Sequence, residues 1–353
     1  MSYEIRFCRK DERGELVAFL RENLGKSHVL TVAPNVLDWG HLQGGRYNFV
    51  VAMDEKTKRF HGVIGFMSSS FFARQEVEKF GVLWPVLWLV DKSVVTDSTL
   101  GAKLMLFMRA ELQPRSVIAT GITPELSGAY TRMNYRVGEM RHFYLTNPAI
   151  EFFSIATQSN ARSHSTGLAG QDNFRLSSTA CLNEVSAAEL KDKLRKIGQF
   201  SGDKTRGYFT NRFASHPFYD YRFWAVTEGD DLAILVVRKI LVGDASCLRI
   251  VDAAGLRNLR SNLREQFEAL LIAEGSEYID FMVAGVEEAS VEHLGFVECT
   301  SDNFVPNLFE PFVKTVAPVR YAILSPGPFS IFKGDADLDR PNSFASARPK
   351  PVE

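Results

Sequence analysis

Aromatic and basic side chains concentrate in two segments of this chain, where they could bind a polar small molecule. Residues 206–224 read RGYFTNRFASHPFYDYRFW, and residues 28–45 include the run LDWGHLQGG. Aromatic rings stack on sugars and nucleotide bases, and basic side chains pair with phosphate groups. Packing between a sheet and its helices would account for many of these aromatics equally well. The candidate substrate-binding residues are Trp39, His41, Arg212, His216, Tyr219 and Tyr221.

A carboxylate at the end of an apolar run is the first candidate for proton transfer. Asp91 comes directly after the run WLV and could act as a general base, directly or through a water molecule. A similar run in the second half of the chain ends at Asp252. An aspartate present in both places could instead be structural and cap the next turn of the chain.

Three aspartates alternate near the C-terminus, in the segment GDADLDRPN. A calcium loop of the EF-hand type that began at Asp335 would need glycine at its sixth position and glutamate at its twelfth. Those positions hold Arg340 and Ser346, so the segment is not an EF-hand. We expect a solvated acidic turn, or alternatively a cap over a cleft that pairs with an amine substrate.

Composition restricts the class of protein. A length of 353 residues predicts about two domains, and 45% hydrophobic with 24% charged residues is typical of a soluble globular protein. The net charge of -1 argues against a nucleic-acid partner. The apolar runs are too short to span a membrane, and the charged N-terminus is no secretory signal, which predicts a cytoplasmic protein. Four widely spaced cysteines predict neither disulfides nor a metal site.

The two halves of the chain repeat the same pattern of elements. Asp252 lies 161 positions after Asp91, and Gly295 lies 161 positions after Asn134. Between these pairs, both halves contain a helical stretch, a strand and a second helix in the same order. An internal repeat of this kind predicts that one folding unit has been duplicated.

Each unit is predicted to be an α+β domain with a mixed, mostly antiparallel sheet flanked by helices. A hairpin comes first in each unit and a βαβα succession comes last. We place the first domain at residues 1–150, a Ser- and Gly-rich linker at 151–180, and the second domain at 181–312. The remaining Pro-rich segment, 313–353, would end in a tail and could supply one strand at Arg320–Leu324.

Residues 85–140 resemble the GNAT superfamily of N-acyltransferases. The strand VLWLVDKSV leads into the turn and helix TDSTLGAKLMLFM, followed by the strand VIATGI and the helix segment TPELSGAYTRMNY. The family binds the pyrophosphate of coenzyme A at such a helix N-terminus, although this turn lacks part of the family's glycine pattern. The resemblance implies two tandem GNAT-like domains and an acyl-coenzyme A co-substrate, acetyl-coenzyme A or another acyl form. It assigns cofactor contacts to Leu89, Val90, Thr96, Ser98, Thr99, Leu100, Gly101, Ala102 and Thr123.

The resemblance also implies the chemistry, which is acyl transfer from a thioester to an amine. Tyr130 falls on the family's frequent general acid and would protonate the departing sulfur. Backbone N–H groups from Leu89 to Asp91 would polarise the thioester carbonyl, and the side chain of Asp91 is the candidate base. In the second unit Val291 replaces the tyrosine and Asn262 replaces Gly101, so that unit is expected to have lost catalysis.

The tandem arrangement is similar to double-domain N-acyltransferases and to GNAT-type enzymes of bacterial surface-polysaccharide biosynthesis. That likeness implies acylation of an amino group on a nucleotide-linked amino sugar, as in O-antigen synthesis, without a metal ion. Two alternatives stay open: a Fem-like aminoacyl transferase that uses aminoacyl-tRNA, and a non-catalytic binding protein with the GNAT fold. The sequence does not determine the oligomeric state.

Overall fold

The chain forms an α+β structure built on two large mixed sheets. The computed structural model describes residues 2–74, 81–157, 180–198, 200, 204–309 and 312–340. Most of the predicted linker, residues 158–179, and the predicted tail after Arg340 lie outside the described residues.

The strands match the predicted repeat closely. Those of the first half are β1 (Tyr3–Arg9), β2 (Leu42–Gln43), β3 (Arg46–Asp54), β4 (Phe60–Ser68), β5 (Val82–Val90), β6 (Ser116–Thr120), β7 (Arg136–Glu139) and β8 (Arg141–Thr146). Those of the second half are β9 (Cys181–Val185), β10 (Tyr221–Glu228), β11 (Asp231–Val242), β12 (Ala245–Ala254), β13 (Tyr278–Gly285), β14 (Val297–Glu298), β15 (Leu308–Phe309), β16 (Phe312–Val313), β17 (Arg320–Leu324) and β18 (Ser330–Phe332).

The helices lie mainly between these strands. They are α1 (Arg13–Leu24), α2 (Val29–Val32), α3 (Pro34–His41), α4 (Ser69–Ala73), α5 (Leu100–Leu112), α6 (Pro124–Arg132), α7 (Ala187–Lys196), α8 (Arg206–Phe209), α9 (Arg264–Glu274) and α10 (Glu288–His293). Buried apolar residues of α5 recur at helical spacing and pack on one face of the first sheet. Helix α9 packs in the same way on the second sheet.

The two sheets exchange one strand each. The first has the order β1-β3-β4-β5-β6-β17-β7 with β2 beside β3, and the second has the order β9-β10-β11-β12-β13-β8-β14 with β18 beside β13. Strand β17 therefore lies between β6 and β7, and β8 lies at the corresponding place between β13 and β14. Each half of the chain completes the sheet of the other, so the two sheets are tied together by the exchanged strands. The division of the chain into domains at particular residues stays a prediction.

A left-handed backbone residue at the same position of both units supports the duplication. Asn134 has φ 65° and Gly295, at the matching position, has φ 96°; both come after a short helix. A β-carbon at Gly295 would also collide with the side chain of Asn262, so glycine is required there and asparagine suffices in the first half.

No helix among the described residues combines the length and apolar character that crossing a lipid bilayer requires.

Candidate functional site

The first sheet opens between β5 and β6. These parallel strands pair only at Val82 with Ser116 and at Leu83 with Val117. Beyond that point β5 continues to Val90 with β4 on one side, and no strand of the described residues pairs with its other edge. We call this gap the first opening. An unpaired strand edge presents backbone N–H and C=O groups to a ligand, as in peptide recognition by strand addition.

The alternation along β5 shows which backbone groups face the first opening. The N–H of Asp91 donates to the carbonyl of His61, 2.9 Å away, on the side of β4. Because N–H groups alternate in direction along a strand, Leu89 also faces β4, whereas Trp88 and Val90 face the opening. Among the backbone N–H groups predicted to polarise the thioester carbonyl, that of Val90 therefore points toward the opening. Those of Leu89 and Asp91 point toward β4.

Tyr130 lies beside the opening, on the side of α5 and α6. Its ring contacts Trp88 edge-on at 5.5 Å and Tyr135 at 5.1 Å, and the residue is only 2% exposed. Burial, with a smaller contribution from Tyr135, raises the pKa of its hydroxyl above the ordinary value of 10.0. The hydroxyl therefore stays protonated at neutral pH, which a proton donor to a thiolate requires.

The predicted phosphate turn is capped by its own aspartate. Asp97 accepts hydrogen bonds from the amide and hydroxyl of Thr99, at 2.8 and 2.6 Å, and pairs with Lys103. These interactions, the Lys103 bond first, lower the pKa of Asp97. The amides of Gly101 and Ala102 remain among the first-turn N–H groups that a helix cannot satisfy internally. An anion at this N-terminus would meet those amides, but it would also meet a carboxylate.

Close packing, as well as phosphate binding, would explain why glycine stands at position 101. The indole N–H of Trp88 donates to its carbonyl oxygen at 3.1 Å, and a β-carbon at this position would lie 3.0 Å from that indole nitrogen. Of the other cofactor residues predicted at this end of the sheet, Leu100 is buried, Ala102 is half-buried, and Thr96, Ser98, Thr99 and Thr123 are exposed.

Asp91, the candidate base, is engaged in its own turn. Its carboxylate accepts from the hydroxyl and amide of Ser93, at 2.6 and 2.9 Å, and these bonds lower its pKa. A carboxylate of lowered pKa is a weaker base, so this geometry favours the turn-capping alternative at Asp91.

The second sheet has an equivalent gap, but the chain itself fills it. Strands β12 and β13 pair in parallel over Leu248–Ile250. Farther along, β18 pairs with β13 from Val283 to Gly285. The N–H of Gly334 then donates to the carbonyl of Val251 on β12, at 2.6 Å. This second opening is therefore closed by backbone hydrogen bonds on both sides, which a ligand would have to displace.

The acidic segment after β18 is buried, so the expectation of a solvated turn is wrong. Asp335, Asp337 and Asp339 are 1%, 7% and 3% exposed. Each pairs with a cation of the second unit, and these ion pairs are Lys204 with Asp335 at 2.9 Å, Arg212 with Asp337 at 3.0 Å, and Arg238 with Asp339 at 2.9 Å. Buried charges persist only when they are paired, and here the partners lie about a hundred residues away in sequence.

Asp252, the repeat counterpart of Asp91, belongs to the same network. Both of its oxygens accept from Lys204 at 2.8 Å, and the hydroxyl of Tyr208 lies 3.2 Å away. Burial lowers the pKa of Lys204, but Asp252 and Asp335 outweigh it and raise the value. The turn Asp335–Asp337 also contacts β4, β5 and β6, so this segment connects the filled second opening to the first.

The predicted acceptor residues of the two halves meet, but most of them form a packed interface. Trp39 contacts the ring of His216 at 4.6 Å, and the guanidinium of Arg212 lies 5.0 Å from the ring of Trp39. Tyr219 stacks on His216 at 5.2 Å. Arg212, His216, Tyr219, Tyr221 and His41 are all buried, and the structure places His41 in the core beside Phe49. Trp39 alone of the six is half-buried.

Trp39 also lines a cavity of about 490 Å³ that faces solvent. Phe71 and Phe72 supply two more aromatic rings, and Asp38 supplies a carboxylate. One oxygen of Asp38 accepts from the hydroxyl of Tyr47 at 2.7 Å and pairs with Arg13 at 3.3 Å, and the side chain is 40% exposed. Sequence reasoning missed Asp38, although it precedes Trp39 directly, because a single carboxylate in a helix carries no distinctive pattern.

Among the described residues, no group of three or more His, Cys, Asp or Glu side chains is arranged to hold a metal ion.

Comparison with solved structures identifies the fold. A GCN5-related N-acetyltransferase from Anabaena variabilis aligns over 91% of this chain and 72% of its own, with a TM-score of 0.53 and 10% identity. The N-myristoyltransferase of Saccharomyces cerevisiae, solved with myristoyl-CoA, aligns over 92% of this chain and 78% of its own, at a TM-score of 0.44 and 9% identity. A protein described as a putative acetyltransferase, from Pyrococcus horikoshii, aligns over 94% of this chain and 95% of its own, with a TM-score of 0.40 and 10% identity. No family model and no curated protein matches the sequence. The Anabaena structure confirms the predicted tandem GNAT-like fold.

Proposed function

We propose that this protein is an N-acyltransferase that binds acyl-coenzyme A at the first opening and transfers the acyl group to an amine. The observation that carries this proposal is the asymmetry of the two openings. The first leaves one edge of β5 without a strand partner among the described residues, whereas β18 fills the second. The similar Anabaena structure is that of an N-acetyltransferase, which supports the same chemistry.

The residues around the first opening are suited to acyl transfer. The backbone groups of Trp88 and Val90 would bind the extended arm of the co-substrate and polarise its thioester carbonyl. The protonated hydroxyl of Tyr130 would donate to the sulfur as the carbon–sulfur bond breaks and the nitrogen–carbon bond forms. The amides of Gly101 and Ala102 would contact the pyrophosphate. The ammonium would lose one proton to solvent before it attacks, because Asp91 is held by Ser93 at a lowered pKa. The second proton of the attacking nitrogen would return Tyr130 to its hydroxyl form once the amide has formed.

The acceptor is proposed to be an amino group on a nucleotide-linked sugar. Three aromatic rings line the cavity beside Asp38, and such rings stack on bases and on sugar faces. One oxygen of Asp38 already binds Tyr47 and Arg13, and the other would pair with an ammonium group before that ammonium loses its proton. The proposal includes three further points: the transferred group is acetyl, the reaction belongs to surface-polysaccharide biosynthesis, and the protein is cytoplasmic.

Calorimetry with acetyl-coenzyme A tests the binding site. We expect one molecule to bind per chain, because β18 already occupies the second of the two openings. Amide hydrogen exchange should then slow in residues 86–90 and 99–103 and stay unchanged in residues 248–254. No binding would exclude the co-substrate. Two molecules per chain, or protection in 248–254, would show that the assignment to the first opening is wrong.

Thiol release from acetyl-coenzyme A tests the acceptor. A panel of amino sugars, free and nucleotide-linked, should give the fastest release with a nucleotide-linked member. Asp38→Asn should raise the KM for that amine and leave the KM for acetyl-coenzyme A unchanged. Tyr47→Phe is the matched control, because it removes one hydrogen bond to Asp38 and keeps its charge. Equal rates with simple alkylamines would contradict the sugar assignment.

A non-catalytic binding protein is the second candidate, and Asp97 is the observation that favours it. Its carboxylate occupies the helix N-terminus where the pyrophosphate would sit. Binding of acetyl-coenzyme A without thiol release for any amine in the panel would favour this candidate over the enzyme.

A further inference from the structure

A small cavity in the second unit is lined by four cations and one carboxylate. It has a volume of about 50 Å³ and lies between β11, β12, the loop before β15 and the buried C-terminal segment. The charged residues that line it are Arg238, Arg249, Lys333, Arg340 and Asp339. It shares no lining residue with the cavity beside Trp39.

The three arginines each pair with an aspartate. Arg249 forms a bidentate pair with Asp280, at 3.0 and 2.6 Å, and carbonyl oxygens of the 306–307 loop lie near its guanidinium. Arg238 pairs with Asp339 at 2.9 Å. Arg340 lies 2.8 Å from Asp337, which Arg212 shares. Each cavity arginine is therefore paired with a carboxylate. Each of these carboxylates already has at least one arginine as its partner.

Lys333 is the fourth cation, and it pairs with no carboxylate among the described residues. It is 6% exposed, and its ammonium forms no hydrogen bond or ion pair with any of the described residues. Burial and the nearby Arg249 and Arg238 lower its pKa to about 8, against a smaller opposing effect of Asp339 and Asp280. A buried ammonium without a counter-ion is costly, and the cavity beside it has room for one.

We propose that this cavity binds a compact anion, either chloride or the carboxylate group of a small molecule, with Lys333 as its principal charge partner. The volume exceeds the roughly 30 Å³ share of one liquid water molecule, but it is small for a polyphosphate. A bound anion would balance the excess positive charge and fix the segment after β18 against β11 and β12. The site would thereby stabilise the strand that fills the second opening.

Thermal unfolding at constant ionic strength tests the site. Replacing a bulky sulfonate salt by chloride, or by acetate, should raise the Tm of the intact chain by a few degrees. Lys333→Met should abolish this shift, and Lys196→Met, which alters an exposed lysine of α7, should preserve it. An equal shift in Lys333→Met would overturn the proposal. A larger effect of acetate than of chloride would identify a carboxylate ligand, and the reverse would identify chloride.

Direct binding to the unmodified protein keeps the test decisive if Lys333→Met fails to fold. The chloride NMR line should broaden with protein and sharpen again when acetate competes. About one pH unit above the pKa of Lys333, anion binding should also protonate the lysine. The binding enthalpy measured by calorimetry should then depend on the ionisation enthalpy of the buffer. About one unit below that pKa, the lysine is already protonated and the binding enthalpy should not depend on the buffer. Absence of chloride line broadening together with absence of a Tm shift in acetate would refute the site.

Discussion

The two openings are built from the same elements, but the chain fills only the second with a strand of its own among the described residues. At the first, β5 and β6 separate after two residue pairs, and the edge of β5 stays without a strand. At the second, β12 and β13 separate in the same way, but β18 pairs with β13 and the next glycine bonds to β12. After a duplication, one copy can lose a ligand site when the chain supplies its own strand. The C-terminal segment, rather than the repeat itself, therefore decides which of the two openings is filled by the chain.

Lys204, which pairs with the segment after β18, tests what holds the second opening filled. Its removal should have the largest effect of the changes considered. Lys204→Met leaves Asp252 and Asp335 without their shared cation inside the protein. Uncompensated buried charge costs about 3 to 5 kcal/mol, so the free energy of unfolding in urea should fall by that amount. Arg195→Met is the control, because its pair with Asp192 is exposed and contributes at most about 1 kcal/mol. Similar losses in both variants would show that this network does not hold the strand in place.

Gly285 tests the packing of β18 directly. It has φ 96°, and a β-carbon there would overlap the carbonyl of Phe329, just before the filling strand. Gly285→Ala should therefore cost about 3 kcal/mol of unfolding free energy, from backbone strain and the collision together. Gly243→Ala shares the left-handed backbone but meets no atom within 4 Å, so it should cost about 1 kcal/mol. Equal costs would mean that β18 is loosely packed.

The proposed catalytic difference between the units is tested at Tyr130. Tyr130→Phe should lower kcat for acyl transfer by about 100-fold, because the departing thiolate loses its proton donor. The affinity for acetyl-coenzyme A should change little. Tyr135→Phe is the matched control, since it removes the hydroxyl of a neighbouring buried tyrosine that contacts the sulfur of Met105. An unchanged kcat in Tyr130→Phe would remove this hydroxyl from the mechanism.

The sequence predicts local features and misses distant contacts. The repeat, the βαβα order and the strand at Arg320–Leu324 are predicted by periodicity and turn residues. The exchange of β8 and β17 between sheets is not, because both strands carry the same pattern whichever sheet they join. The aspartates at 335, 337 and 339 resemble a solvated turn, since their cations lie far along the chain. Asp91 and Asp252 occupy one repeat position, but only the structure shows that one caps an exposed turn and the other is buried with Lys204.

The smallest expected effect concerns the charge at the mouth of the first opening. Asp97→Asn keeps an acceptor for Thr99 but removes a negative charge from the helix N-terminus. Coenzyme A should then bind roughly two- to fivefold more tightly, with a gain that shrinks as salt rises. Pantetheine lacks the phosphates and should bind both forms alike, and Asp192→Asn controls for the change in net charge. Weaker binding of coenzyme A by Asp97→Asn would mean that Asp97, through Lys103, holds the phosphates in place, and the pyrophosphate would then belong beside that lysine rather than on the amides of Gly101 and Ala102.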